Sequence, residues 1–286
     1  METLVTKNWG DYALIDSGNR LRLERFGRFL VVRPDTSALW KPMQPHHEGW
    51  QQPHAYFVGE KGHVWDFQKG IPEAGWEISW NSIRFLVKPT PFRHMGVFPE
   101  QAVHWEWLDE TVRTFVKEQG RAPKVLNLFG YTGIASLVAA KAGAAVTHVD
   151  ASKSTVNWAH ENAKRNKLEV RWIVDDALKF MHREVRRGTK YDVILMDPPV
   201  FGRGPKGEIW RIEAFLAELA QTAGELLETE KGKLLLNFYA TDVYPEAVAR
   251  TVKQSLGNKI SLDLTSLCLQ EEKGNLLQTG YSLRSH

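Results

Sequence analysis

The residues of this chain that could do chemistry stand at the ends of short apolar runs. Asp150 ends the run Ala145–Asp150, and Asp197 ends the run Tyr191–Asp197. A third run is followed by the glycine-containing stretch Asn127-Leu-Phe-Gly-Tyr-Thr-Gly133. Carboxylates accept hydrogen bonds from ligand hydroxyls and amines, and glycines let a backbone approach a ligand closely. These positions therefore predict a site for a polar ligand.

The glycine-containing stretch differs from the common nucleotide-binding loops. The pair Gly130-x-x-Gly133 lacks the third glycine of a dinucleotide fingerprint, and no Lys-Ser/Thr follows it as in a P-loop. Because it opens the predicted helix Ile134–Ala142, its N–H groups are available to a small anion such as a carboxylate. The alternative is that glycine stands here only for packing between strand and helix.

The carboxylates after the next two runs fit the two ends of a nucleoside. Asp150 can accept hydrogen bonds from the hydroxyls of an adenosine ribose. At Asp175-Asp176, a carboxylate could accept from the exocyclic amine of adenine. Aspartate is also a favoured N-cap, so at each position the alternative is a helix cap.

The sequence Asp197-Pro198-Pro199 is the most constrained of these motifs. Two prolines after a buried strand exclude the right-handed helical conformation for Asp197 and Pro198, and they remove two backbone donors. The chain is then held in an extended arc. We expect this arc to aim the Asp197 carboxylate and the Pro198 carbonyl into a cleft, where both accept hydrogen bonds from a substrate.

The elements that must position these motifs alternate between strand and helix from Pro99 onwards. The predicted strands and helices, in order, are Lys124–Leu128, Ile134–Ala142, Ala145–Asp150, Ser154–Asn166, Val170–Val174, Ala177–Arg187, Tyr191–Asp197, Arg211–Glu228, Lys233–Tyr239 and Pro245–Leu256. Continuous apolar strands joined by helices predict an α/β fold with a doubly wound, mostly parallel sheet. Two β-like segments, Ser261–Gln270 and Leu277–Arg284, predict an antiparallel hairpin at the C-terminal end of the chain.

The first third of the chain has a different pattern. It consists of short strand-like runs such as Arg20–Leu23, Arg28–Arg33 and Ile83–Lys88, separated by turn residues. We therefore predict a small β-rich domain over residues 1–90, followed by the α/β domain over residues 91–286.

Taken together and in order, the motifs NLFGYTG, HVD, DDA and DPPVF resemble those of class I S-adenosylmethionine-dependent methyltransferases. Arg93–Gln101 is similar to a segment of bacterial large-subunit rRNA methyltransferases. The resemblance implies a seven-stranded Rossmann-like sheet and S-adenosyl-L-methionine as cofactor. It implies the following cofactor-binding residues: Asn127, Gly130, Thr132 and Gly133 at the methionine end, Asp150 at the ribose, Asp176 at the adenine, and Phe98 and Gln101 closing over the cofactor. Asp197 and Pro198 would face the methyl acceptor.

The chain departs from the cytosine-C5 members of that family. Methylation at C5 needs a cysteine thiolate near the fifth strand, since C5 becomes nucleophilic only in a covalent adduct. Here that strand ends Asn237-Phe-Tyr239, and the single cysteine is Cys268 in the predicted hairpin. A ring or exocyclic nitrogen needs no adduct, so we expect the acceptor to be a base nitrogen of RNA. Ribosomal RNA is the expected substrate. Phe201 could stack on an extruded base, and Arg203 belongs to the basic loop beside it.

The remaining features set the cellular context. The formal net charge of +3 is too small to identify nucleic acid by itself. One cysteine excludes a disulfide framework, and no apolar run approaches the ~20 residues of a membrane span. We therefore expect a cytoplasmic protein without a membrane partner. The histidines of the first third lack the spacing of a metal site, so no metal is predicted.

An arginine-rich strand in the first third offers a second RNA contact. Arg22, Arg25 and Arg28 are interleaved with leucines and phenylalanines, a pattern that can bind phosphates and stack bases. A solvated strand face explains the same pattern. Two other functions stay open: methylation of a protein or small molecule, and binding of the cofactor without catalysis. The oligomeric state is not predicted.

Overall fold

The computed structural model describes residues 1–58, 64–67, 70–91, 93–204, 207–228, 231–239 and 244–285. The chain divides into two compact units. The larger, the α/β unit, comprises Met1–Thr3, His104–Ser266 and Gly280–His286; the smaller, the β-rich unit, comprises Leu4–Val103 and Leu267–Thr279. Each unit therefore draws on both ends of the sequence, whereas the sequence suggested one boundary at residue 90.

The strands and helices follow in chain order. The strands are β1 (Glu2–Thr6), β2 (Tyr12–Gly18), β3 (Leu21–Phe26), β4 (Phe29–Pro34), β5 (Ala55–Val58), β6 (Val64–Phe67), β7 (Trp76–Trp80), β8 (Ile83–Val87), β9 (Lys124–Leu128), β10 (Ala145–Asp150), β11 (Arg171–Val174), β12 (Val193–Met196), β13 (Phe201–Arg203), β14 (Ile209–Arg211), β15 (Lys233–Phe238), β16 (Asp263–Gln270) and β17 (Leu276–Arg284). The helices are α1 (Glu48–Gln51), α2 (Ala102–Gln119), α3 (Ile134–Ala142), α4 (Lys153–Asn166), α5 (Ala177–Arg186), α6 (Ile212–Leu226) and α7 (Pro245–Leu256), with 3-10 turns at Pro99–Gln101 and Gly257–Lys259.

The large sheet has the order β1-β16-β17-β15-β12-β9-β10-β11. Strands β9, β10, β11, β12 and β15 pair in parallel, and β17 runs antiparallel to β15. This confirms the doubly wound α/β fold with its antiparallel C-terminal strands. The sheet has eight strands where seven were predicted, because β1 joins the edge of β16.

The chain order within this sheet reverses at β9. From β9 the chain winds outwards through β10 and β11, then returns to β12 on the other side of β9. Ligands of open α/β sheets bind beyond the carboxyl ends of the strands at such a switch point. The site is therefore expected where Leu128 and Met196 end β9 and β12.

The strands of the large sheet are buried because their sequences are apolar throughout. Leu126, Ile194 and Leu234 are fully buried in one cluster with residues of helices α5, α6 and α7. Burial of each such side chain stabilises the fold by roughly 1.5–3 kcal/mol, which makes these central strands a rigid base for the loops at their ends.

The β-rich unit contains a five-stranded sheet of order β2-β3-β4-β5-β6 and the separate pair β7-β8. This confirms the predicted β-rich first third. On one face of β3, Leu23 packs with Ala13, Ile15 and Val32. The other face of β3 carries Glu24, which is fully buried and accepts hydrogen bonds from Arg33 and Tyr12.

No helix in the described part of the chain is long and apolar enough to cross a membrane.

Candidate active site

The loop after β9 is held in an uncommon backbone conformation. Phe129 and Tyr131 have φ values of 57° and 51°, and Gly133 has 86°. Left-handed φ at a non-glycine residue costs about 1–2 kcal/mol and persists only where surrounding contacts enforce it. Two backbone bonds do so here: Gly130 N–H donates to Val149 O (3.1 Å) and Gly133 N–H to Gly130 O (3.0 Å).

Beneath this loop lies a buried polar chain. The Asn127 amide nitrogen donates to Ser136 Oγ at 2.9 Å, and Ser136 Oγ shares a hydrogen bond of 3.0 Å with His148 Nδ1. Burial lowers the pKa of His148 to about 3, so its ring is neutral at physiological pH. Sequence reasoning missed His148; its position in β10, two residues before Asp150, was the available signal. Asn127 supports the loop from below, and its predicted contact with a cofactor stays a prediction.

The two loop glycines are explained by packing. A Cβ added at Gly130 would overlap the His148 ring, and one at Gly133 would lie 2.7 Å from Ala159 Cβ on α4. Between them, Thr132 is buried and its carbonyl accepts from Asn162 Nδ2 at 3.1 Å. These contacts fix the loop in the shape that a ligand at the switch point would meet.

Asp150 ends β10 and holds the same loop from the side. Its carboxylate accepts hydrogen bonds of 2.9 Å each from Tyr131 N–H, Ser152 N–H and Thr155 Oγ1. Ser152, rather than Asp150, is the N-cap of α4. Burial raises the pKa of Asp150, and these donors act in the opposite direction. A carboxylate has about four lone-pair positions, so three bonds from the described residues leave about one, on Oδ2, for a ligand hydroxyl.

The next carboxylate pair has local partners. Asp176 is the N-cap of α5, with its side chain accepting from Lys179 N–H at 3.0 Å. Asp175 pairs with Arg183. The helix-cap alternative for Asp176 is thus observed, and its contact with adenine stays a prediction.

Asp197 lies directly at the switch point. Its N–H donates to Leu128 O, at the end of β9, over 3.4 Å. Its Oδ2 lies 3.4 Å from the hydroxyl of Tyr239, which follows β15. Pro198 is buried beside it. Tyr239 was not predicted as a functional residue, although it follows the strand adjacent to β12.

After Pro199 the chain forms a two-stranded hairpin that the sequence suggested only as a basic loop. Strands β13 and β14 pair antiparallel, with Phe201 opposite Arg211 and Arg203 opposite Ile209. Phe201 and Arg203 are both exposed. Their predicted contact with substrate is therefore sterically open.

Two further predicted cofactor residues belong to the β-rich unit. Phe98 precedes the 3-10 turn Pro99–Gln101, and Gln101 is buried within it. Their closure over a cofactor stays a prediction.

The predicted arginine surface is wrong at Arg22. Successive residues of a strand point to opposite faces, so Arg22 shares the inner face of β3 with Glu24 while Arg25 lies on the other face. Arg22 is buried and pairs with Glu24 (3.4 Å) and Asp35 (3.7 Å), so it does not present its charge to phosphates. Arg25 is half-buried and donates to backbone carbonyls, and Arg28 is exposed over the ring of Phe29. For Arg25 and Arg28 the RNA contact stays a prediction.

Within the described ranges, no group of three or more His, Cys, Asp or Glu side chains is placed to hold a metal ion.

Comparison with known proteins adds an independent line of observation. Residues 28–249 match the family model described as S-adenosylmethionine-dependent methyltransferase. A crystal structure of the SAM-dependent methyltransferase from Agrobacterium tumefaciens is 42% identical, with a TM-score of 0.91, and the match covers 99% of this chain and 93% of that one.

Two curated relatives are both named ribosomal RNA large subunit methyltransferase K/L. The protein from Colwellia psychrerythraea is 36% identical over 115 residues, which are 36% of this chain and 16% of that protein. The protein from Alteromonas mediterranea is 32% identical over 165 residues, which are 56% of this chain and 22% of that protein. The matches thus span about a fifth of the length of these relatives.

Proposed function

Because the chain belongs to the S-adenosylmethionine-dependent methyltransferase family, we propose that it methylates RNA, with a base nitrogen of ribosomal RNA as acceptor. The observation that carries the proposal is the position of Asp197 at the switch point, where its backbone N–H bonds Leu128 O and its carboxylate lies 3.4 Å from the Tyr239 hydroxyl. The residue after β15 is this tyrosine and not a cysteine. The names of the curated relatives support ribosomal RNA as the substrate class. The proposal also puts the protein in the cytoplasm.

The residues at the switch point fit the cofactor. Asp150 Oδ2 would accept a hydrogen bond from its ribose hydroxyl, and the N–H groups of the first turn of α3, which begins after Gly133, would bind its carboxylate. The bound cofactor supplies a methyl group on a sulfonium, which is already activated towards a nucleophile. The protein therefore has mainly to align the acceptor and exclude water.

Asp197 is the residue proposed to align the acceptor. A carboxylate accepts a hydrogen bond from an N–H of the acceptor, which turns the nitrogen lone pair towards the methyl group. The Tyr239 hydroxyl donates to Oδ2 and restricts rotation of the carboxylate. The two prolines fix the backbone of the arc, so this orientation is set before substrate binds. The acceptor proton leaves to solvent after transfer, so no strong general base is required.

The burial and the raised pKa of the single thiol disfavour methylation at C5 of cytosine. Cys268 lies inside β16 with 6% of its surface exposed, and burial raises its pKa. A thiolate nucleophile needs a lowered pKa and access to substrate. Cys268 is therefore proposed as a small buried core residue.

The test is mass mapping of modified nucleosides in ribosomal RNA from cells lacking the gene, followed by methyl transfer in vitro to that unmodified RNA. The proposal expects one N-methylated nucleoside to be missing and to be restored by the purified protein. Its Cys268→Ser variant should keep this activity, and RNA containing 5-fluorocytosine should trap no covalent complex. A folded but inactive serine variant, or a trapped adduct, would show a carbon acceptor. An unchanged nucleoside profile would point to the protein or small-molecule alternative.

A further inference from the structure

The hairpin formed by β13 and β14 has two chemically different faces. Side chains alternate along each strand, and the register places Phe201, Arg203, Ile209 and Arg211 on one face. All four are exposed, Phe201 by 54% and Ile209 by 55%. We call this set the outer face. The outer face thus exposes two large apolar side chains beside two arginines. Burial in the core does not account for these apolar side chains, so their exposure points to a binding surface.

The inner face of the hairpin is anchored to the candidate site. Trp210 is buried, and its Nε1 donates to Pro199 O at 2.7 Å. Its ring lies 4.9 Å from that of Phe129 in the loop after β9. Ile212 N–H donates to Val200 O at 3.1 Å and closes the base of the hairpin. The outer face is thus held in a fixed position relative to the Asp197 arc.

The outer face carries two cations, the guanidinium groups of Arg203 and Arg211. Among the residues that the structure describes, no carboxylate forms an ion pair with Arg203 or Arg211, whereas on the adjacent helix Lys179 pairs with Glu208 and Arg183 with Asp175. Glu208 is the acidic residue of the hairpin, and it is committed to Lys179. Within the described part of the chain, the outer face therefore combines two arginines that lack an ion-pair partner with a flat aromatic ring.

We propose that the outer face binds an unpaired stretch of the substrate RNA next to the methylated base. The inference rests on the proposed function and extends it by assigning Ile209 and Arg211, which the sequence did not single out. The two guanidinium groups bind phosphates, the Phe201 ring stacks on a base, and Ile209 packs against the neighbouring ribose or base. Single-stranded RNA fits because its bases are free to stack, whereas those of a duplex are not.

The test measures binding of a short fluorescein-labelled single-stranded RNA as a function of salt concentration. The variant Arg203→Glu/Arg211→Glu should bind at least about tenfold more weakly, with a salt slope reduced by about 0.7 for each lost phosphate contact. Phe201→Ala should weaken binding about tenfold with the slope unchanged, because stacking involves no counterion release. The matched control is Arg250→Glu/Lys253→Glu, which makes the same charge change at exposed positions of α7.

Calorimetric affinity for S-adenosylhomocysteine shows that each variant is folded and separates this inference from the proposed function. The inference fails in either of two cases, given that the unchanged protein binds and methylates RNA. In the first, the outer-face variants bind RNA as tightly as the unchanged protein. In the second, their affinity for RNA is no lower than that of the α7 control. It also fails if Phe201→Ala leaves affinity unchanged, since charge alone then explains binding. If the unchanged protein neither binds nor methylates RNA, the proposed function fails first.

Discussion

The carboxylate of Asp150 accepts a hydrogen bond of 2.9 Å from the backbone N–H of Tyr131, 19 residues earlier. The side chain proposed to hold the ribose therefore also holds the loop proposed to surround the other end of the cofactor. Tyr131 is in the left-handed region, and this bond offsets part of the conformational cost. We therefore expect cofactor affinity and loop shape to be coupled through Asp150.

Removing the Asp150 carboxylate should therefore weaken cofactor binding strongly. We expect Asp150→Ala to lose roughly 1.5–3 kcal/mol of binding free energy for S-adenosylmethionine, measured by calorimetry. Thr155→Val is the control, since it removes one donor to Oδ1 and leaves the carboxylate in place. Unchanged affinity in Asp150→Ala would remove this residue from the site.

The close approach of Gly130 to His148 predicts a specific packing defect. Gly130→Ala should lower the free energy of unfolding by about 1–3 kcal/mol, because the new Cβ overlaps the imidazole ring. The same substitution should cost less when His148 is already alanine, and urea unfolding of the four proteins measures this coupling. Gly10→Ala, where nothing lies within 4 Å, is the control and should change stability by less than about 0.5 kcal/mol. Equal costs in both backgrounds would contradict the contact.

Asp197 should affect turnover rather than cofactor binding. We expect Asp197→Ala to lower kcat for methyl transfer to unmodified ribosomal RNA by orders of magnitude while calorimetric cofactor affinity changes little. Tyr239→Phe, which removes only the hydroxyl that contacts Oδ2, should give a smaller fall of about tenfold. If Asp197→Ala loses cofactor binding and activity together, the carboxylate holds the cofactor instead.

His104 on α2 predicts a pH dependence of stability. It is buried, neither ring nitrogen has a hydrogen-bond partner among the described residues, and burial together with Arg284 lowers its pKa to about 3. Above about pH 6.5 the ring is neutral in both folded and unfolded chains. Between about pH 6.5 and 3 only the unfolded chain binds the proton, so the folded state loses up to about 1.4 kcal/mol per pH unit as the pH falls.

The variant His104→Phe should remove this contribution. Its stability relative to the unchanged protein, measured by urea unfolding, should rise by about 2 kcal/mol between pH 7 and pH 5. The comparison between pH 7 and pH 8 is the control, since there the difference should stay constant. A difference that does not change between pH 7 and pH 5 would show that His104 takes up a proton in the folded state.

The sequence predicted most of the central sheet because its signals are local. Lys124–Leu128, Ile134–Ala142 and Ala145–Asp150 have the predicted bounds, since apolar runs there end at turn residues and glycines. The pairing of β1 with β16 joins the two ends of the chain and has no local signal. The β13–β14 hairpin was missed because its strands are three residues each, too short to show alternation.

The sequence predicted where the site residues lie in the fold better than it predicted what each of them does. The switch point follows from the order of strands and helices, so the position of Asp197 beside the end of β9 was predictable, while its role stays a prediction. The role of Asp176 was ambiguous because the same carboxylate lone pairs serve a helix N-cap and a ligand. The prediction for Arg22 was wrong because it assigned the three arginines to one exposed surface. Side chains alternate along the strand, so Arg22 shares a buried face with Glu24 and pairs with it.

The division of the chain bears on how the protein is made. The α/β unit takes Met1–Thr3 from one end and Gly280–His286 from the other, and the β-rich unit needs Leu267–Thr279 to complete it. During translation, the β-rich unit is complete only after Leu267–Thr279 has left the ribosome, and the α/β unit only after Gly280–His286 has done so. Contacts between such distant segments form slowly, because the intervening chain must first be brought together. Unpaired strand edges stay exposed during synthesis, which makes this interval the one in which nascent chains are most prone to aggregate or to need a chaperone.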